Sequence, residues 1–272
     1  MVNRVLASSS MSARVRASLF VLLVGAGIAT TAAITASMAV AEPTRPSLAE
    51  LRELSGPKLA ERLRALSPQH LIALGRDGVR SLGAYRARLV KQERVGGELL
   101  AAQTIEVAVR PSPRAIRLVY VAGPKAGRHV SWREDHRPAE ILVREGGFLG
   151  LTSLWIDVGG KLARKDTNHG VMELGFGPAL DFFDRDLRKG TAQGGHSRRD
   201  RGFDSTGRYC IEYAAPPGAK GLYAERTVVC LDPKLAVPVG IEVFDRQGLL
   251  ERYEYADVRP NQKLDPSLFD DV

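Results

Sequence analysis

Two different hydrophobic periods divide the chain. Between residues 46 and 83, leucines recur every three or four residues, which is the spacing of an amphipathic helix. Ser55-Gly56-Pro57 and Ser67-Pro68 interrupt this pattern, and each places a proline where a helix tolerates it, in the first turn. We predict two or three short helices there. From Tyr85 onward apolar and polar residues alternate, which is the period of half-buried strands.

The strands that this alternation predicts are short and closely spaced. The clearest alternation lies within residues 105–109, 116–120 and 252–255. Further strands are predicted at Tyr85–Val95, Arg128–Arg133, Glu140–Arg144, Lys161–Asp166, Arg208–Ala214, Tyr223–Leu231 and Val237–Asp245. Since a parallel neighbour needs a crossover of about a dozen residues, strands joined this closely are mostly antiparallel. One stretch, Gly177–Lys189, has a helical apolar face and predicts a single helix inserted between two blocks of sheet.

The N-terminal 41 residues have the features of an export signal. Arg14 and Arg16 precede a run from Leu19 to Ala41 without a charged residue, and Ala39-Val40-Ala41 has the small-x-small form of a signal-peptidase site. We therefore predict a signal peptide over residues 1–41 and a soluble periplasmic or secreted protein. The alternative is an uncleaved N-terminal membrane anchor, because an uncharged run of this length could span a bilayer.

Charge and composition exclude several classes of protein. The 272 residues are 44% hydrophobic and 26% charged, which is ordinary for a globular chain. Without the three arginines of residues 1–41, 36 Lys+Arg face 31 Asp+Glu, a net charge of +5. Because arginines and carboxylates alternate along most segments, we expect a solvated surface, no nucleic-acid partner, and at most peripheral contact with anionic envelope membranes.

Few residues point to catalysis. The sequence contains no His-Glu-x-x-His helix, Gly-x-Ser-x-Gly elbow, phosphate loop or dinucleotide-binding glycine motif. Its five histidines lack the spacing of zinc ligands. Asp166 and His169, with Ser153 before them, are the nearest approach to an acid–base group, and we interpret them as loop residues. The arginine-rich stretch 185–201 is likewise interpreted as a solvated loop. We predict no catalytic residue, metal or cofactor.

The two cysteines predict a structural disulfide. Cys210 and Cys230 lie in strand-like segments that are separated by Pro216-Pro217-Gly218 and Gly221. A hairpin that turns near Lys220 would place the cysteines directly opposite each other, at a separation that a disulfide can bridge. A redox-active pair would be expected to have Cys-x-x-Cys spacing instead.

Several short motifs resemble a known family. They are Lys91-Gln92-Glu93-Arg94, Pro111-x-Pro113, Gly123-Pro124-Lys125-Ala126-Gly127, Gly175-Phe176-Gly177 and the closing Leu250-Glu251-Arg252-Tyr253-Glu254-Tyr255. From Tyr85 to the C-terminus the chain resembles the exported bacterial family called domain of unknown function 1571. More distantly, its C-terminal part is similar to periplasmic lipoprotein carriers of the LolA/LolB type. That resemblance implies an incomplete, strongly curved antiparallel β-barrel whose open side is covered by helices around an apolar cavity.

Together, the pattern and the resemblance predict an α+β fold: an N-terminal helical segment over residues 42–84, then a LolA-like curved antiparallel sheet over residues 85–272 with one inserted helix. We expect the cavity to be lined by inward strand residues and by the inserted helix. The predicted lining residues are Ile105, Val107, Val109, Leu118, Tyr120, Phe182 and Phe183.

These expectations favour one function and leave two others open. The favoured one is a monomeric, non-catalytic carrier or binding protein for an apolar or amphiphilic small molecule, a lipid or a lipoprotein acyl chain. The alternatives are a secreted enzyme of unknown reaction and an envelope scaffold or sensor that binds another protein.

Overall fold

Three helices open the part of the chain that the computed structural model describes, which is residues 44–147, 150 and 152–272. They are α1 (Leu48–Glu53), α2 (Gly56–Arg64) and α3 (Pro68–Leu82). Ser47 caps α1 in a reciprocal capping box with Glu50, and Ser67 caps α3, so two of the helix starts have local side-chain signals. This confirms the helices expected from the leucine spacing.

A large antiparallel sheet follows. Its strands are β1 (Tyr85–Val95), β2 (Glu98–Leu99), β3 (Gln103–Pro111), β4 (Arg114–Ala122), β5 (His129–Arg133), β6 (Glu140–Arg144), β7 (Ser153–Asp157), β8 (Ser197–Phe203), β9 (Tyr209–Ala214), β10 (Arg226–Asp232), β11 (Val237–Asp245) and β12 (Gly248–Arg259). The strand order is β7-β6-β5-β4-β3-β1-β12-β11-β10-β9-β8, with β2 paired to β1. Since β7 and β8 stand at opposite ends, the sheet is open.

Two helices connect the two halves of the sheet. The short α4 (Lys161–Arg164) follows β7, and α5 (Phe176–Thr191) precedes β8. β1 pairs with β12 along most of its length, from Arg86 opposite Arg259 to Glu93 opposite Glu251. This pairing of the first strand with the last joins the two halves at the centre of the sheet.

Two apolar cores hold the helices on the sheet. The first contains inward residues of β1, β3–β6, β11 and β12 together with Val171, Leu174 and Phe176. The second contains leucines of α1, α2 and the first half of α3, Leu187 of α5 and inward residues of β9 and β10, whereas Leu82 at the end of α3 belongs to the first core. Since α5 contributes to both cores, it lies over the sheet where the two cores meet.

The fold class predicted from the sequence, α+β with an open, curved antiparallel sheet and an inserted helix, is confirmed. The cysteine prediction is confirmed too, because Cys210 of β9 stands opposite Cys230 of β10 and the two form a disulfide. The proposed signal peptide and its alternative, a membrane anchor, lie outside the described residues. In the described part of the chain, no helix combines the length and the apolarity that crossing a membrane requires.

Two local predictions were wrong. The strand predicted at Lys161–Asp166 is the helix α4, closed by a hydrogen bond from the Arg164 amide to the Gly160 carbonyl at 3.1 Å. The loop predicted at residues 185–201 contains the end of α5 and most of β8. β8 is an edge strand without a buried face, so its side chains lack the apolar alternation by which a strand is recognised.

Candidate functional site

A cavity of about 200 Å³ lies between α5 and the inward faces of β10–β12. Its walls are mainly apolar, and helix, loop and strand residues all contribute. The apolar and aromatic lining residues are Leu174, Ala179, Phe182, Phe183, Tyr223, Ala224, Ile241, Val243, Tyr253 and Tyr255.

Large buried side chains at both ends of α5 fix the helix as the roof of this cavity. Phe176, at its start, packs against Tyr85 and Tyr255 with ring centroids 5.2 and 4.6 Å away. Leu187, near its end, is buried in the second core. Between these anchors Ala179 and Phe182 line the cavity, so the small side chain of Ala179 leaves space that a larger residue would fill.

Polar groups adjoin the cavity in what we call the polar cluster: the buried Lys91, Glu93, Glu251 and Tyr253, the half-buried Asn168 and His169, and the more exposed Tyr223. Glu251 is only 2% exposed. It accepts hydrogen bonds from the Asn168 side chain at 2.8 Å and from the Tyr223 hydroxyl, and His169 Nε2 lies 3.2 Å from its Oε2. Each oxygen of this carboxylate therefore has a partner.

Glu93 organises the deeper part of the polar cluster. It is 3% exposed, forms an ion pair with Lys91 at 3.0 Å and accepts a hydrogen bond from the Tyr253 hydroxyl. The backbone amide of Asn168 also donates a hydrogen bond to Glu93 at 3.3 Å, and the Lys91 ammonium donates to the Thr167 hydroxyl at 2.6 Å. Opposite charges and hydrogen bonds thus offset the cost of burying these groups in the sheet.

The electrostatics of the polar cluster favour a protonated His169 beside an ionised Glu251. Burial acts to lower the pKa of His169, but the hydrogen bond to Glu251 and the charges of Glu251, Glu93 and Glu173 outweigh it, so the pKa is raised. Burial acts to raise the pKa of Glu251, yet its bonds to His169, Tyr223 and Asn168 lower the pKa overall. Burial and the charge of Glu251 raise the pKa of Tyr223, which stays a neutral donor.

The structure separates the lining residues predicted from the sequence into two groups. Phe182 and Phe183 line the cavity. Ile105, Val107, Val109 and Leu118 are instead buried in the first core, and Tyr120 packs against that core. Their face of the sheet is filled because Val158, Ala163 and Val171, from the connection between β7 and α5, pack on the same core.

The residues weighed for an acid–base group each have other partners. Asp166 forms an ion pair with Lys125 at 3.4 Å, and Ser153 stands opposite Arg144 on the edge strand β7. The acid nearest to His169 is Glu251, 82 residues further along the chain and 3.2 Å away, with Glu173 at 3.9 Å on the other ring nitrogen. No serine or cysteine is found among the described residues that line the cavity.

One group of side chains in the described ranges has the spacing of metal ligands: Asp204, Cys210 and Cys230. The two sulfurs are joined in the disulfide. Because a metal ligand must be a thiolate, this group is not a metal centre.

The polar cluster was not predicted from the sequence, although a signal for it exists. Residues 251, 253 and 255 of β12 share the inward face, so Glu251 is a charged residue in an otherwise aromatic row. Lys91 and Glu93 similarly share the inward face of β1 with Leu89. A charge at the inward position of a period-two pattern is the signal that could have located these groups.

Fold and cavity together define an α+β protein in which one helix closes an apolar cavity against an open antiparallel sheet. The chain belongs to the family described as protein of unknown function DUF1571, whose model matches residues 82–272. A search of curated protein sequences with this chain found no match.

Several solved structures are similar in fold. An uncharacterized conserved protein from Thermus thermophilus is 10% identical, with 75% of this chain and 93% of that chain covered and a TM-score of 0.44. The lipoprotein LppX of Mycobacterium tuberculosis is 14% identical, with 73% and 100% covered and a TM-score of 0.42. A LolA superfamily protein from Nitrosomonas europaea is 10% identical, with 75% and 97% covered and a TM-score of 0.34.

Proposed function

We propose that this protein is an exported, non-catalytic binding or carrier protein that holds the apolar part of an amphiphile in the cavity beneath α5. The observation that carries the proposal is the cavity itself, about 200 Å³ of mainly apolar space between a helix and a sheet. Binding sites for small apolar ligands are typically such concave, apolar spaces with a few polar groups at fixed positions.

The volume limits what the cavity can hold. Each methylene transferred from water contributes about 0.8 kcal/mol, which is about fourfold in affinity. Affinity is therefore expected to rise with chain length and to level off once the cavity is full.

The proposed location rests on the sequence of residues 1–41. The charged start, the uncharged run and Ala39-Val40-Ala41 support cleavage before Glu42 and release into the periplasm or the medium. A soluble carrier of amphiphiles fits that compartment, because apolar chains cannot cross an aqueous space unassisted.

A matched pair of tryptophan variants tests the proposal. Ala179→Trp fills the cavity from its roof, whereas Ala256→Trp places the same side chain on the exposed outer face of β12. We expect wild type and Ala256→Trp to bind a fluorescent octanoyl probe at micromolar concentration. Ala179→Trp, checked for folding by circular dichroism, is expected to bind at least about tenfold more weakly.

Two results would refute the proposal. If the wild type bound no apolar probe, the proposed binding function would be wrong. If the two variants bound the probe with equal affinity, the cavity would not be the binding site. Mass spectrometry of the recovered probe addresses the enzyme alternative: an unchanged probe supports a binding protein, and turnover supports catalysis.

A further inference from the structure

We propose that the amphiphile is anionic and that Arg185 and Lys189 of α5 hold its headgroup at the mouth of the cavity. This inference rests on the proposed function and adds to it the charge of the ligand. Both residues line the cavity, and both are at least partly exposed. As residues i and i+4 of one helix, they are neighbours on the same face of α5.

The carboxylates around the cavity already have partners. Glu173 accepts hydrogen bonds from the Gly170 amide at 2.7 Å and from Arg164 at 2.8 Å. Asp186 accepts from the Tyr223 amide at 2.8 Å, and Glu251 is held within the polar cluster. A cationic headgroup would have to displace these internal contacts.

The two cations at the mouth have no carboxylate partner among the described residues. The Arg185 guanidinium lies over the Phe182 ring, 5.2 Å from its centroid, so its hydrogen-bond donors are not used by an acid. Lys189 donates to the Gly221 carbonyl at 3.4 Å, which leaves its other two donors available. The nearby Arg188 differs, because it forms an ion pair with Asp184 at 3.0 Å.

Polarity sets the direction in which the ligand lies. Since the groups of the polar cluster are bonded to one another, they offer no open donor or charge to a headgroup. The chain therefore occupies the apolar space, and the headgroup stays at the mouth beside Arg185 and Lys189. A carboxylate or a phosphate provides the oxygen acceptors that a guanidinium and an ammonium bind best.

The experiment compares headgroups on a constant eight-carbon chain. Affinities of octanoate, octyl phosphate, 1-octanol and octyltrimethylammonium are measured by calorimetry for wild type, Arg185→Gln/Lys189→Gln and Arg188→Gln. Arg188→Gln is the matched control, since it removes one positive charge from the same end of α5 without touching the cavity lining.

We expect wild type and Arg188→Gln to bind both anions at least about tenfold more tightly than the cation. The double variant is expected to lose this preference while binding octanol within about twofold of wild type, because the two substitutions remove charges and leave the apolar lining residues in place. A higher affinity for octanoate or for octyl phosphate then identifies which anion the mouth fits.

The outcomes that overturn the inference are distinct from those that overturn the proposed function. Binding of all four compounds with equal affinity, or a preference that survives in the double variant, refutes the anionic headgroup and leaves the binding function standing. Absence of binding by every compound refutes both.

Discussion

At the scale of single residues, the most unusual feature is the charge buried on the inward face of the sheet. Lys91, Glu93 and Glu251 are each at most 5% exposed. Such charges are tolerated only where opposite charges and hydrogen bonds surround them, so the polar cluster acts as a unit in which each member satisfies the next. Removing one member leaves its partners buried and unpaired.

Glu251→Gln tests that interdependence. The substitution removes the charge that His169 faces and alters the acceptor for Asn168 and Tyr223, so we expect a loss of about 3–5 kcal/mol in the free energy of unfolding. The control is Glu242→Gln, which breaks the more exposed pair with Arg252 and is expected to cost about 1 kcal/mol or less. Urea denaturation measures both, and equal losses would contradict the role of the polar cluster.

The raised pKa of His169 predicts a pH dependence. A raised pKa in the folded state means that the stabilisation by protonated His169 is complete below the unfolded pKa, about 6.5, and is lost as pH rises through the folded pKa. The cost of His169→Gln should therefore be larger near pH 6 than near pH 9. Burial lowers the pKa of His129 and of His196, so these two residues change the free energy of unfolding with pH in the opposite direction. The quantity to measure is therefore the difference in the free energy of unfolding between His169→Gln and wild type at each pH. A cost independent of pH would contradict the assignment.

At the scale of elements, the position of α3 on the sheet depends on its close packing against the turn between β10 and β11. Gly78 lies in the interior of α3, where a Cβ atom would stand 2.7 Å from the Ala236 carbonyl oxygen and closer still to that of Leu235. The backbone of the turn therefore requires glycine at this helical position.

Gly78→Ala measures the importance of this contact. Helix propensity alone favours alanine by about 1 kcal/mol, but the clash with two carbonyl oxygens should reverse the sign and cost about 1–3 kcal/mol. The matched control is Gly75→Ala in the same helix, where the added Cβ meets only the side-chain end of Leu180 at 2.9 Å outside its chain neighbours. Because that side chain can shift and a backbone carbonyl cannot, a smaller loss is expected. A Gly78→Ala protein that melts at or above the wild-type temperature would show that the helix does not approach the turn this closely.

Comparison of elements shows why prediction from the sequence succeeded in some places and failed in others. Tyr85–Val95 alternates between buried and more exposed residues along most of its length, and Val237–Asp245 has a valine or isoleucine at every second position from 237 to 243. The bounds of both strands were predicted as observed. The sequences of β8 and α4 contain no such periodic pattern. β8 is an edge strand without a buried face, and α4 has only four residues, which is too short to show a helical period.

The candidate site was predicted only in part for a related reason. Phe182 and Phe183 belong to a helix whose apolar face is visible in the sequence. Which strands lie beneath that helix depends on the strand order, in which β1 pairs with β12 across the whole length of the domain. Since periodicity shows only which residues point inward, it could not distinguish the filled face of β3 and β4 from the cavity beside β10–β12.

At the scale of the whole molecule, the sheet is open and the two halves are covered differently. Helices α1 and α2 and most of α3 pack on the half that contains β9 and β10, whereas the connection between β7 and α5 fills the other half. The cavity lies under α5, the helix that contributes to both cores. Its position follows from how the chain covers an open sheet, which no single element determines.

The maturation of the chain is a prediction at this scale. We expect the protein isolated from the envelope of its own cell to begin at or near Glu42 and to fractionate with soluble envelope proteins, because Ala39-Val40-Ala41 has the small-x-small form of a signal-peptidase site. Intact-mass spectrometry reads the N-terminus directly. A mass that includes residues 19–41, with the protein in the membrane fraction, would instead support the anchor.

The central claim, that the cavity beneath α5 holds the apolar chain of the ligand, is tested most directly by methyl NMR of isoleucine-labelled protein titrated with 1-octanol. Ile241 lines the cavity, whereas Ile105 and Ile116 are fully buried in the first core. The account predicts saturable shifts and intermolecular contacts at the Ile241 methyl with little change at Ile105 and Ile116. Shifts at Ile105 and Ile116 that spare Ile241, or none at any of the three, would contradict it.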